Sequence, residues 1–330
     1  MAHELEMING MAQMFSVVET PWHHLGKIIR TAPTVEEGIK LAGLDWTVSR
    51  RNIFHAENMM GESSSLAEVP THRAIVRDSD QTILGVVGKD YTPLQNSEAF
   101  NFFEPFINTG LASLETAGSL RGGSRIWVLA QLNRDPMEIV KGDAVRKFLL
   151  LSNGHDGTMA VRVGFTPIRV VCANTLAMSH DGKGSQLLRV FHSSKVAENV
   201  EKIRDIVDAA NARFEATAEQ YRLLASRSLN TKDLREFVKV VFKPSMNEES
   251  ERAKIMLENL NGSITKLFET GRGTDIPGVR GTAWAAYNAV TEYLSYDRGK
   301  LADTRLNNLW FDGGKKLNDL ALQTLTNMVA

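Results

Sequence analysis

The chain has one cysteine in 330 residues, so no internal disulfide can stabilise it, and we expect a reducing compartment. No stretch approaches twenty consecutive apolar residues, which predicts no membrane span. Residues 1–15 are acidic and polar, unlike the basic start and apolar core of a signal peptide. The sequence has no P-loop, HExxH, CxxC or EF-hand motif, so it gives no support for a nucleotide, zinc or calcium site. We therefore expect a cytoplasmic protein that works without a cofactor.

Apolar residues make up 43% of the chain, which is enough to bury a full core, and the length suggests two domains. The formal net charge of -1 gives no overall attraction to nucleic acid or anionic lipid. The charge is uneven, however, because residues 121–193 contain ten Lys and Arg against five Asp and Glu. A local basic face can bind a polyanion. The alternative is that these cations border strands and discourage aggregation between sheets.

Short β-type runs alternate with few helices before residue 194, and helical periodicity dominates after it. We predict an α+β fold, with an antiparallel β-rich domain over residues 1–193 and a mostly helical domain over residues 194–330. Thr34 is placed to cap a helix through Val35–Ala42, and Glu57–Glu68 is predicted to be a mobile loop. Apolar residues at steps of three and four predict one long helix from Val196 to Tyr221.

The most informative segment is Lys147–Leu176. Two β-type runs flank a turn made of Asn, Gly, His, Asp and Gly, which is typical of a hairpin. Arg162 and Arg169 lie inside the predicted strands, and Lys147 enters the first one. Cations on an otherwise apolar sheet need water or an anion, so this sheet is a candidate binding face.

Two other places combine cations with aromatic residues, the pairing that holds single-stranded nucleic acid. Arg121 and Arg125 bound a Gly-Gly-Ser turn that leads into a strand carrying Trp127. Lys89 and Tyr91 follow another predicted strand. The alternative is that both aromatic side chains are partly buried packing residues.

Arg272 and Arg280 lie in a loop with four glycines that ends at a predicted helix start, Thr282. Glycine lets backbone N–H groups approach a phosphate, and a helix N-terminus favours an anion. The alternative is a mobile loop followed by an ordinary threonine cap.

The histidines offer a weaker prediction of metal binding or acid–base chemistry. His155 and Asp156 are adjacent, a second His-Asp pair begins at His180, and His23 precedes another histidine. Both His-Asp pairs lie in glycine-bounded turns, where Asp is preferred for backbone reasons. Cys172, in a predicted strand, is expected to be an inert packing residue.

Several segments match one known family together, over about residues 15–325. They are Trp22 with Leu25-Gly26, Val87–Tyr91 with Gln95-Asn96, Ser152–Gly157, Arg169–Leu176, Thr282–Trp284 with Tyr287–Val290, and Phe311–Asn318. The chain resembles the phage/plasmid-like family of unknown function. The resemblance implies a protein of a mobile element in the bacterial cytoplasm, and it implies no activity.

The predicted architecture is also similar, at the level of fold only, to phage single-strand annealing proteins of the RecT and Redβ type. Our leading hypothesis is a self-assembling protein that binds or anneals single-stranded DNA without a cofactor. Phosphates would be bound by Arg121, Arg125, Lys147, Arg162 and Arg169, and bases would stack on Tyr91 and Trp127. The long helix beginning at Val196 would pack neighbouring subunits.

Two other hypotheses remain open. The protein could be an interaction factor that modulates a host protein, which suits its near-neutral charge and its helices. It could instead be a metal-dependent enzyme acting on nucleic acid, with His155 and Asp156 at its centre.

Overall fold

The structure is a computed structural model that describes residues 5–18, 25–57, 65–132, 135–169, 174–175, 187–202, 207–242, 251–298 and 313–330. Strands dominate the N-terminal region, and helices dominate the C-terminal half. Among the strand pairs whose register is described, all are antiparallel except the short pair at 14–17 and 27–29. The predicted α+β class is confirmed.

The elements of the first half are β1 (Met7–Ile8), β2 (Met11–Ala12), β3 (Met14–Val17), β4 (Lys27–Ile29), α1 (Val35–Leu41), β5 (Val48–Glu57), β6 (Ser65–Arg77), β7 (Ile83–Gly88), α2 (Asn96–Asn101), α3 (Glu104–Asn108), β8 (Ala112–Leu120) and β9 (Arg125–Leu132). They continue with β10 (Met137–Val140), β11 (Asp143–Gly154), β12 (Val161–Arg169), β13 (Asn174–Thr175), β14 (Leu187–Val190), α4 (Val196–Lys202), α5 (Val207–Ser226), α6 (Thr231–Phe242), α7 (Glu251–Thr270), α8 (Ala283–Glu292), a π-helical turn (Tyr293–Asp297) and α9 (Gly313–Val329).

The chain forms two compact units, and neither is a continuous stretch of sequence. The first unit comprises Met1–Asn133, Leu149–Gly164 and Leu187–Ile206, and the second comprises Arg134–Phe148, Phe165–Gln186 and Val207–Ala330. This division differs from the single boundary after residue 193 that the sequence suggested. The physical reason is that β11 and β12 are long, so each strand supplies residues to both units.

In the first unit, the main sheet contains strands in the order β12–β11–β9–β8–β3–β4, and β14 pairs with β12. Helices α1, α2 and α3 pack on its strands β3, β8 and β9. The core contains the fully buried rings of Phe15, Phe100 and Trp127. Helix α1 begins as the sequence predicts, since Thr34 Oγ1 accepts from the N–H of Glu37 and the Glu37 carboxylate accepts from the N–H of Thr34.

A second sheet of the first unit has the order β5–β6–β7. Its inner face contains the buried side chains of Val48, Ile75 and Val87. Beyond this core, β5 and β6 continue as a two-stranded ribbon, which we call the β5–β6 arm (residues 53–57 and 65–71). Most residues on both faces of the arm are exposed. The loop predicted over Glu57–Glu68 is therefore largely strand among the described residues.

The second unit is built around α8, all ten residues of which are buried. Helices α5, α7 and α9 pack against it, and α5 also packs on β10. The Trp284 indole N–H donates to Oδ2 of the buried Asp143 at 2.8 Å, and the Tyr287 hydroxyl donates to Asn318 at 2.8 Å. These hydrogen bonds satisfy polar groups that would otherwise be costly to bury inside the helical core.

The long helix predicted from Val196 to Tyr221 is helical wherever it is described, as α4 and α5, and residues 203–206 lie outside the described part of the chain. Helix α7 runs continuously through Gly262. A single glycine costs a helix only about 1 kcal/mol, and the buried residues on both sides of Gly262, Leu260 and Ile264, outweigh that cost.

Candidate functional site

The turn between β11 and β12 holds His155 in the interior of the first unit. Its Nε2 lies 3.0 Å from Oδ1 of Asn96, whose amide nitrogen donates to the carbonyls of Leu44 and Trp46. Because the Asn96 oxygen is an acceptor, Nε2 of His155 carries the proton. Burial lowers the pKa of His155 to about 3, and repulsion from His192 adds to this effect. His155 is therefore neutral at physiological pH.

Asp156 points into a different set of contacts. Its Oδ1 accepts from the backbone N–H and the hydroxyl of Thr158 at 2.9 and 2.7 Å, and its Oδ2 lies 3.8 Å from Nε of Arg125. Arg125 also donates to the Thr158 hydroxyl at 3.0 Å. These contacts fix the shape of the turn. They also mean that Arg125 is partnered by protein groups rather than held open for a phosphate.

The structure gives no support for an active centre at His155 and Asp156. His155 is fully buried and bonded to Asn96, whereas Asp156 caps its own turn. Within the described ranges, no group of three or more His, Cys, Asp or Glu side chains could hold a metal ion. The pairs beginning at His23 and His180, and Cys172, lie outside the described residues.

Tyr91 packs within the first unit rather than standing free. Its hydroxyl donates to the Gly154 carbonyl at 2.7 Å, and its ring stacks on His192 with centroids 4.4 Å apart and planes 26° apart. One face of the ring is thus already covered by an imidazole. Lys89 is exposed, and its carbonyl accepts from Arg50 at 3.2 Å.

Trp127 offers no surface to a base. The side chain is 2% exposed, and a Cβ built on Gly118 would lie 2.5 Å from its ring, so β8 lies directly against the indole. The stacking role predicted for Trp127 is incompatible with this burial, and the packing alternative accounts for it. Arg121 is exposed in the turn between β8 and β9, with a φ of 53°.

In the second unit, Lys147 is also buried. Its ammonium lies 4.2 Å from the centroid of Phe165 and 5.0 Å from that of Phe214, a cation–π arrangement. The apolar stem packs with the core while the charge is stabilised by the two rings. Lys147 is therefore a structural cation in this arrangement, and a phosphate has no access to it.

The glycine-rich loop of the second unit is organised around a carboxylate. Glu292 Oε2 accepts from the backbone N–H of Arg272 at 3.0 Å, and Oε1 lies 3.7 Å from its guanidinium. The guanidinium also lies 4.3 Å from the ring centroid of Tyr296. Arg280 is exposed and donates to the Glu269 carbonyl at 3.3 Å. An anionic side chain of the protein thus already occupies the position that the sequence suggested for a phosphate.

The remaining predicted cations lie on β12. Arg169 pairs with Asn174 at the end of the strand and belongs to the second unit. Arg162 belongs to the first unit, where it lies directly opposite Arg189 of β14. Directly opposed residues of an antiparallel pair project from the same face of the sheet. The flanking pair, Val161 and Val190, is buried on the other face.

An exposed aromatic residue follows Arg189 in the sequence. Phe191 lies two positions after Arg189, just beyond the end of β14, and is 76% exposed. Lys195 is exposed four residues later, and residues 187–197 contain no Asp or Glu. We call Arg162, Arg189, Phe191 and Lys195 the Arg162–Arg189 surface. Arg189, Phe191 and Lys195 were not predicted from the sequence. A usable signal was present, because two leucines are followed by an arginine and, one residue further on, by a phenylalanine.

Comparison with known proteins places the chain in a family. The model described as "Domain of unknown function (DUF932)" matches residues 83–321, which is more than half of the chain. The chain therefore belongs to the DUF932 family. No curated protein and no solved structure matched it. Among the helices of the described residues, none is both long and apolar enough to cross a membrane.

Proposed function

We propose that the protein binds single-stranded nucleic acid through the Arg162–Arg189 surface. The observation that carries this proposal is the direct cross-strand pairing of Arg162, which is half-buried, with Arg189, which is exposed. Guanidinium groups match phosphate geometry and form charge-assisted hydrogen bonds with phosphate oxygens. Each of the two arginines can therefore contact one phosphate of a strand that lies across this face.

Phe191 supplies the second element of such a site. Its ring is mostly in water, although burying a phenylalanine side chain is worth about 1.5–3 kcal/mol. A base stacked on the ring recovers part of that free energy, and stacking is worth about 1–3 kcal/mol per base. Stacking on a ring does not distinguish between bases, so we expect little sequence preference.

The surface neutralises phosphates and holds bases, and it needs no proton transfer or cofactor. We propose that the protein is encoded on a phage, plasmid or related mobile element and acts in the bacterial cytoplasm. Assembly of several copies along a strand would bring complementary strands together for annealing. The resemblance to the phage/plasmid-like family and the fold-level analogy to annealing proteins support this part of the proposal.

The test is the salt dependence of binding to a labelled oligo-dT, measured by fluorescence anisotropy between 50 and 200 mM salt. Each phosphate contact to a single strand contributes about 0.7 to the slope of log K against log salt. The Arg162→Gln/Arg189→Gln variant should therefore lose about 1.4 from the slope. Over this fourfold range of salt, the double variant should lose about sevenfold less affinity than the wild type.

The matched control is Lys40→Gln/Arg51→Gln, which removes the same charge from exposed positions of the first unit. It should leave the slope near the wild-type value. Equal slopes for both double variants, or no binding by the wild type at 50 mM salt, would refute the proposal. A Phe191→Ala variant should weaken binding without changing the slope, because it removes stacking and no charge.

The second candidate function is binding to a host protein, and the β5–β6 arm favours it. Phe54 and Leu66 are 52% and 72% exposed on the arm, and an isolated two-stranded ribbon is only marginally stable in water. A protein that covers the arm would bury both side chains. Affinity purification that recovers one host protein in a stoichiometric amount, even after nuclease treatment, would support this candidate if the Phe54→Ser/Leu66→Ser variant no longer recovers it. A doubled light-scattering mass lost in the same variant would instead identify a second copy of the chain.

A further inference from the structure

We propose that His192 is a positioning residue for the Arg162–Arg189 surface and that its protonation strengthens nucleic-acid binding. This inference rests on the proposed function. His192 directly follows Phe191 and lies three residues after Arg189. His192 is therefore adjacent to the exposed ring of Phe191, while its own side chain packs inside the first unit.

The imidazole of His192 lies between two carbonyl groups. Its Nδ1 is 3.3 Å from the Thr92 oxygen, and its Nε2 is 3.3 Å from the Met159 oxygen. A carbonyl oxygen only accepts hydrogen bonds, and a neutral imidazole carries a single N–H. One of the two contacts therefore has no proton in the neutral form. The imidazolium carries two N–H groups and satisfies both carbonyls at once.

These contacts fix the backbone that carries Phe191. The His192 carbonyl accepts from the N–H of Thr92 at 3.1 Å, so His192 and Thr92 are joined through main chain and side chain. The N–H of Ser193 donates to the Phe191 carbonyl at 2.9 Å. The neutral imidazole donates to only one of the two carbonyls, either that of Thr92 or that of Met159. The imidazolium donates to both carbonyls, so that the neighbouring Phe191 is restricted to one position.

The groups around His192 determine its pKa. Tyr91 stacks on the ring, and Asp156 attracts the imidazolium from the turn between β11 and β12. His155, in the same turn, is neutral and adds no fixed charge at neutral pH, while Arg189 lies three residues earlier on the same segment. Burial lowers the pKa of His192, and the two carbonyls and Asp156 oppose this effect. The free protein therefore holds a neutral His192 near pH 7 and takes up the proton on acidification.

A polyanion on the Arg162–Arg189 surface favours the charged form of His192. Because linkage is reciprocal, proton uptake then favours the polyanion by the same factor. Affinity should rise by about tenfold for each unit by which bound nucleic acid raises the pKa of His192. The rise should occur as the pH falls through the titration of His192, at constant salt.

The experiment measures the dissociation constant of oligo-dT between pH 5.5 and 8 at one salt concentration. The variants are His192→Gln, which cannot titrate, and His72→Gln, which removes an exposed histidine from β6. We expect affinity to rise at low pH in the wild type and in His72→Gln, and this rise to be lost in His192→Gln. Calorimetry in two buffers of different ionisation enthalpy should show proton uptake on binding in the wild type.

A second measurement does not depend on a variant. NMR titration of the wild-type histidines, free and saturated with oligo-dT, should show a higher pKa for His192 in the complex. An unchanged His192 titration, or identical pH profiles for the wild type and His192→Gln, would overturn the inference while leaving the proposed function intact. Absence of any binding to oligo-dT would overturn the proposed function itself.

Discussion

A buried ion pair in the first unit allows a sharp prediction about stability. Arg77 and Glu6 are 6% and 5% exposed at their side chains, and Nη1 lies 2.5 Å from Oε1. The other Glu6 oxygen accepts from Ser119 at 2.7 Å. Arg77 also contacts Asp80 at 2.9 Å, and its guanidinium lies 5.1 Å from the Trp46 ring centroid. The perturbation is Glu6→Leu, which keeps the size of the side chain and removes its charge.

Removing one partner of a buried ion pair costs about 3–5 kcal/mol. Because Arg77 keeps Asp80, we expect the lower end of that range, about 3 kcal/mol. The orphaned Ser119 hydroxyl adds about 1 kcal/mol. Glu6→Leu should therefore lower the free energy of unfolding by about 4 kcal/mol. Urea denaturation followed by tryptophan fluorescence should show a lower midpoint with an unchanged m-value.

The double variant Glu6→Leu/Arg77→Met completes the cycle. Replacing both charges by apolar side chains of similar size is often neutral or stabilising, so the double variant should be more stable than Glu6→Leu alone. If the losses in free energy of unfolding of Glu6→Leu and Arg77→Met add up in the double variant, the two side chains do not interact as a pair. A loss below about 1 kcal/mol for Glu6→Leu would likewise refute the reasoning, since a surface pair is worth no more than that.

Three further predictions concern packing, a buried hydrogen bond and pH. Gly85→Ala should destabilise the first unit, because its Cβ would lie 2.5 Å from the backbone of the His155 turn. Gly88→Ala should not destabilise it, since no atom lies within 4 Å of that Cβ, and thermal denaturation of the two variants checks this difference. Trp284→Phe should lower the free energy of unfolding by about 1.5–3 kcal/mol, measured in urea, because the buried Asp143 carboxylate loses a donor. The pKa of His155 is about 3 in the folded chain against an ordinary 6.5, so the unfolded chain binds the proton first and stability falls as the pH drops below 6.5. Between pH 7 and pH 5 the loss should be about 2 kcal/mol, and a His155→Gln variant should show a flatter pH dependence of the urea midpoint.

Much of the fold could be predicted from local patterns. The capping box at Thr34 and the threonine cap at Thr282 depend on a few neighbouring residues, and the structure contains both. The α+β class followed in the same way from the change of periodicity along the chain. The β5–β6 arm was missed because most of its residues are exposed on both faces, so no apolar alternation marks its register.

The site was harder to predict, because residue type does not reveal which face a side chain takes. Trp127 and Lys147 carry the right chemistry for nucleic acid, yet both lie in cores where packing decides their role. Arg162 was identified, but its partner Arg189 is 27 positions away and is brought opposite only by the strand register. Tyr91 was identified as an aromatic of interest, and its stack on His192 depends on a contact across about a hundred residues. Such juxtapositions require coordinates.

The way the chain crosses between its two units has a consequence for synthesis on the ribosome. The first unit needs residues 149–164 and 187–206, so it cannot be complete until the ribosome has translated most of the chain. A fragment ending at Asn133 would lack β11, which borders β9, and also β12 with Arg162 and the turn that carries His155. We therefore expect nascent chains to need protection by chaperones until late in translation, and expression of either half alone to yield aggregates rather than an independent domain.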